Sequence, residues 1–459
     1  MMTIADKARY QGYRLDRSQQ PWIQTGLYEY LLPMLLFGSM GAITWAIRGT
    51  GGWGGIDGTI LPGMTWGLLW YYLCYRKGID ARAIPLWLGL GIALGGELGY
   101  GQYVSWIQGK FYAGDQILAI PPRLGYTWFV LCGIGWGAPG GIALGWALRA
   151  RTSLGRWLIR IAVPFGVAYL GWLLVQHCPS WFFPNYHLGL YAGALDRHLE
   201  RTVYTNTQNF TVVAWWLGAM LVAAFQRDRA TLVAGGLIGG GFGVGFMLSA
   251  LWCLGYAYAP AYIDWWKLWE LNAGFNLGLL YVIVLSWATR QVDRAHHPDG
   301  GAIAPSPLRQ APPNVVARRR SIALTLSVFL LLLVVFHGAT YQAGVMLELY
   351  DAKAVDQYAW PWQRVVLFAP WAVLIVGVTA FSLGRTLWRS RTPDWTGFDV
   401  PRLPERMIDL MTLLAAVGAI TIWPAKIGAL YACFLILAVF ALTRLNRHCN
   451  RYDGPQSPL

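Results

Sequence analysis

Polar and apolar positions along this chain follow a coarse rhythm: apolar runs close to 20 residues long, each closed by charged or glycine-rich segments. That length matches the roughly 20 residues a helix needs to cross a hydrocarbon core of about 30 Å. Twelve such runs lie at approximately 29–47, 59–75, 85–107, 124–148, 157–176, 210–225, 231–255, 266–289, 321–340, 363–383, 407–423 and 425–443. The second and sixth are short, and the last two are split by Trp423-Pro424-Ala425-Lys426. The pattern predicts an all-α polytopic membrane protein of about 12 transmembrane helices.

Composition agrees: 56% of the 459 residues are hydrophobic and only 13% charged, far from a soluble domain's balance. Residues 1–28 hold no apolar core of signal-peptide length, so they read as a cytoplasmic N-terminal segment. Lys and Arg favour loops that stay in the cytoplasm. With both termini inside, the inside segments take 27 of the 36 basic residues. The other nine, Arg48 and Lys267 among them, fall in outside loops or at outer helix ends. The net charge of +14 is then mostly topological bias, and a nucleic-acid partner is not needed to explain it. A bacterial inner membrane is the expected location, with the lipid bilayer as solvent and partner subunits left open.

The stretch 290–320, rich in Pro, Gly and charge, reads as a cytoplasmic linker. It divides an eight-helix, glycine-rich membrane domain (29–289) from a four-helix domain (321–443) and a cytoplasmic tail (444–459). The first eight runs carry an internal echo, "GGELGYGQYVS" at 95–105 against "GGGFGVGFMLS" at 239–249. Gly91, Gly95 and Gly99 correspond to Gly235, Gly239 and Gly243, which suggests a four-helix repeat, runs 1–4 and 5–8. Glycine at every fourth position lets helix backbones approach in lipid, so these faces are expected to pack against other helices.

Glu97 stands out because its partner in the echo is Gly241 and because it falls near the middle of its run. A carboxylate there costs about 2.5–3.5 kcal/mol, so it must be protonated, paired or beside water. Arg48 ends the first run and opens "RGTGGWGGIDG", where glycine backbone N–H groups and a guanidinium are able to frame an anion, with Asp57 holding Arg48. Gln102 is the other polar neighbour of Glu97. In "DWWKLWELNAGFNLG", Lys267 and Glu270 are one turn apart and Asn272 and Asn276 share a face. These eight residues are the candidates for substrate binding or coupling.

The outer segment 177–209 holds His177, His187 and His198, without the ligand spacing of a metal site, and its middle reads as an amphipathic surface helix. No cofactor fingerprint is found and no cofactor is expected. Cys178 and Cys253 both fall near outer ends, which leaves a disulfide open. Three functions fit: a secondary transporter of a small polar or anionic solute, an integral-membrane enzyme acting on lipid-linked or sugar substrates at the outer face, or a non-catalytic subunit of a larger complex.

Overall fold

The computed structural model describes residues 26–50, 56–77, 79–95, 103–148, 152–259, 263–294, 314–346, 403–421 and 425–452. The chain is a helical membrane protein: among the described residues, eight helices are long and apolar enough to cross a bilayer. They cover eight of the twelve apolar runs. Run 85–107 is carried by two shorter helices, and run 363–383 lies outside the described residues.

A π-helical turn, Leu27–Leu31, leads into α1 (Leu32–Thr50). α2 (Ile56–Arg76), α3 (Ile84–Gly95) and the short α4 (Tyr103–Ile107) follow. Strands β1 (Lys110–Ala113) and β2 (Gln116–Ala119) form an antiparallel hairpin, Lys110 opposite Ala119. Then come α5 (Pro122–Leu148), α6 (Leu154–His177), α7 (Arg197–Phe225) and α8 (Arg229–Ala234). A π-helical segment, Gly235–Gly240, continues from α8 into α9 (Gly241–Ala250). The remaining helices are α10 (Trp265–Arg294), α11 (Asn314–Met346), α12 (Leu403–Thr421) and α13 (Ala425–Tyr452). The hairpin lies at the start of α7, where Asp196 comes within 3.8 Å of a carbon added at Gly114, while the turn at 226–228 lies at that helix's far end beside Arg160 of α6.

Glycine decides which helices touch. A methyl on Gly41 of α1 would sit 2.5 Å from the Gly274 carbonyl oxygen of α10, so those backbones are already in contact. α5 is the buried centre and is approached from two sides. Gly91 and Gly95 of α3 close on it near Pro139 and Trp136. On its other side Gly133 and Gly137 meet Phe246 and Ile238 of the seventh run. Trp216 of α7 donates its indole N–H to the Gly235 carbonyl at 3.0 Å, filling one acceptor of the π-helical segment. Gly91, Gly95, Gly235, Gly239 and Gly243 are therefore packed, Gly99 lying outside the described residues, but Gly91, Gly95 and Gly243 all meet the same helix, α5. That arrangement lends no support to a duplicated four-helix unit, in which each face would meet its own copy's last helix.

The helix ends away from the hairpin are held by charge. Arg160 of α6 and Asp228, each 3% exposed, pair at 2.5 Å, and Arg160 also donates to Gln226 Oε1 at 3.1 Å. Asp228 caps α8 by accepting from Thr231 N at 3.2 Å and Thr231 Oγ1 at 2.8 Å. Arg160 falls inside the fifth apolar run, 157–176, and the structure buries it. Asp228→Asn keeps the cap and removes the charge, and breaking a buried pair costs about 3–5 kcal/mol. A sharply lower melting temperature in detergent is expected, and an unchanged one would show that the pair contributes nothing.

A second clamp joins the α2–α3 turn to α11. Asp80 binds Arg82 at 2.9 Å and Arg320 at 3.1 Å, and Arg82 donates to Ser321 Oγ at 2.8 Å. Burial alone would raise the Asp80 carboxyl, but hydrogen bonds from Arg82 and the charges of Arg82 and Arg320 outweigh it and hold it below its ordinary 3.8. A carboxyl lowered by folding stabilises fully above its unfolded value and loses that stabilisation as pH falls through the folded one. Asp80→Asn should therefore melt earlier than the parent at pH 7, with the gap closing below about pH 4. A gap independent of pH would rule out the ion pairs as its cause.

The segment 177–209 differs from its expected form. α7 begins at Arg197, capped by Asp196 through the N–H groups of His198 (2.7 Å) and Leu199 (3.2 Å), and continues straight into the bundle to Phe225. The amphipathic stretch is thus the first turns of a long helix, because nothing after Glu200 breaks the helical run. Cys178 and Cys253 are both free thiols.

Candidate functional site

α1 continues two residues past Arg48, so the arginine lies on the last turn of a helix. Its side chain is buried, 4% exposed. The guanidinium carbon lies 4.5 Å from the Trp45 ring centroid and 4.9 Å from that of Trp136 on α5. Contacts of this kind are worth about 2 kcal/mol when desolvated, which offsets part of the cost of a charge at that depth.

Lys267 arrives beside α1 from α10. The Asp264 carboxylate accepts its backbone N–H at 2.9 Å, which fixes the start of the helix. The Lys267 side chain, 6% exposed, pairs with Glu270 and donates to the Ala46 carbonyl at 3.4 Å. Glu270 also accepts from the indole N–H of Trp266 at 2.9 Å. The i,i+3 spacing read from the sequence is a real ion pair, and the structure brings Arg48, Lys267 and Glu270 to one end of the α1–α10 contact.

The two asparagines have another task. Asn276 donates to the Gly245 carbonyl and to Ser249 Oγ, each at 3.0 Å, and to Asn272 Oδ1 at 3.5 Å. It therefore bridges α10 to α9, satisfying amide groups that lipid would leave unpaired. Glu97 and Gln102 lie outside the described residues, and Asp57 is placed only as a backbone position in the first turn of α2.

An aromatic wall backs this group. Trp45 meets Trp136 at 4.8 Å and Phe242 at 5.7 Å, and Phe246 continues the wall to Trp269 at 5.4 Å. Trp269 is buried, and its indole N–H has no acceptor among the described residues. Guanidinium, ammonium and indole make the wall rich in donors. Such a set suits carboxylate or phosphate oxygens, which the planar guanidinium meets with two parallel hydrogen bonds.

A second polar group at the same end escaped the sequence reading. Tyr103 donates to Asn206 Oδ1 at 2.8 Å and accepts from Asn209 Nδ2 at 3.0 Å, while Asn206 donates to the Phe182 carbonyl at 2.7 Å. All three side chains are buried, and the Tyr103 ring stacks on Trp128 at 5.9 Å. The "TNTQN" of 205–209 was the available signal, two amides three residues apart at the start of a span. Among the described residues, no three His, Cys, Asp or Glu side chains gather as a metal site would require.

Compared with protein-family models, curated proteins and solved structures, the chain matches none.

Proposed function

We propose that this chain is a secondary transporter in a bacterial inner membrane, moving a small anionic solute. In this reading the linker end faces the cytoplasm, as the 27-to-9 split of basic residues suggests, and the Arg48 group faces outward. The observation that carries the reading is the buried Arg48 guanidinium, laid against Trp45 and Trp136 on the last turns of α1, where Lys267, paired with Glu270, reaches the Ala46 carbonyl. Glu270 holds Lys267 in place when the site is empty, and the donor-rich wall offers anionic oxygens more partners than a neutral solute would use. Glycine contacts around α5 supply backbone surfaces able to slide, and the π-helical Gly235–Gly240 adds an irregular segment of the kind transporters place beside their sites. Glu97 enters from the sequence alone, as the carboxyl that couples the solute to protons.

Proteoliposomes holding the full chain test this. Under an imposed pH gradient, labelled orthophosphate, small monocarboxylates and sugar acids are offered in turn. Saturable uptake of one of them, about tenfold or more above empty liposomes, is expected. No uptake of any, with the gradient in either direction, would leave the enzyme and subunit readings.

A further inference from the structure

Where α6 ends and α7 begins, the chain builds a pocket of about 260 Å³ whose lining includes Ser180, Trp181, Phe183, Asn185, Tyr186 and His187. The loop is held in shape from within. The Phe182 carbonyl is fixed by the buried Asn206 amide, and Tyr191 donates to the Pro184 carbonyl at 3.0 Å. Tyr186 stacks on Tyr191 at 5.7 Å, and Phe183 packs on Tyr191 at 5.3 Å. Asn185 and Gly189, both left-handed with φ of 55° and 72°, flank the turn that carries Tyr186 and His187.

The lining combines two chemistries. Trp181, 71% exposed, and Tyr186 offer flat apolar surface. Ser180, Asn185 and His187 add a hydroxyl, an amide and an imidazole to the lining. No Asp, Glu, Lys or Arg lines the pocket. That argues against an ionic ligand and for a neutral ring with one apolar face and a rim of hydroxyls. The volume lies below the ~300–1,000 Å³ of drug-sized ligands, which suits a single ring.

We infer that this pocket binds a neutral glycosyl group. The ring stacks on Trp181, and its hydroxyls meet Asn185, Ser180 and His187. The inference is independent of the transport reading, which rests on a different set of residues. The sugar has two possible sources, a soluble glycoside or the headgroup of a glycolipid in the adjoining leaflet.

The test uses the full chain in nanodiscs. Methyl β-glucoside and methyl β-N-acetylglucosaminide are titrated calorimetrically into discs of phosphatidylcholine. In parallel, discs doped with monoglucosyl diacylglycerol are extracted and the glycolipid retained by the protein is counted. Binding in the first arm identifies a soluble source, binding only in the second a lipid one, and both support the site. Trp181→Ala should weaken whichever binding is seen at least tenfold, and Trp181→Tyr should stay within about threefold of the parent. Because Trp181 is mostly exposed, neither change should disturb the melting temperature. No binding in either arm, or Trp181→Ala binding like the parent, would overturn the inference and leave Trp181 an interfacial anchor.

Discussion

Gly41→Leu should abolish recovery of folded protein, while Gly166→Leu should be recovered like the parent. At Gly41 the first added carbon already falls 2.5 Å from the Gly274 carbonyl oxygen and 2.6 Å from the Trp66 ring. The obstacle is backbone, which no rotamer change moves aside, and α1 and α10 must separate to admit a side chain. Overpacking a well-packed interior commonly costs 1–3 kcal/mol, and here a whole helix contact is lost as well. Gly166 on α6 has nothing within 4 Å of an added carbon, so among the described residues nothing crowds a side chain at its root there. Size-exclusion profiles in detergent report the difference. Equal monodisperse yield of both variants would mean that the α1–α10 contact is not as close as described.

The second large effect is expected at Arg48. Hydrogen bonds to charged groups are worth about 1.5–3 kcal/mol, and 1.4 kcal/mol is a factor of ten, so Arg48→Ala should raise the KM for uptake roughly 10- to 100-fold. Arg48→Lys keeps the charge but loses the planar fork and its fit against Trp45 and Trp136, so it should fall between the two. Asn276→Ala separates binding from packing: it should lower the melting temperature and leave KM alone, because among the described residues Asn276 bonds to α9 and to Asn272. Arg48→Ala with unchanged KM would remove the guanidinium from the solute's path.

How much of this was legible in the sequence depends on how far apart the partners lie. Apolar run length found the long helices, because spanning is a local property of about 20 residues. The Lys267–Glu270 pair was legible for the same reason, its members sitting one turn apart on α10. Asn276 was legible as a polar residue needing a partner, but not as the bridge to Gly245 and Ser249. The contacts that required tertiary structure were missed. Tyr103 and Asn206 are joined only by folding, as are Arg160 and Asp228, and no local spacing marks either pair. The glycine faces illustrate the limit best. Their periodicity correctly announced close packing, yet it could not say that Gly95 and Gly243 close on the same helix.

An outward-facing anion site requires the Arg48 and Lys267 group to stand at the outer end of helices that cross the membrane. Single cysteines at the two ends of α10, in a background without other cysteines, test that directly with a membrane-impermeant maleimide on intact cells. Asp264→Cys is expected to label from outside, and Arg294→Cys only after permeabilisation. Labelling of both from outside, or of Arg294→Cys alone, would contradict the orientation and with it the outward-facing anion site.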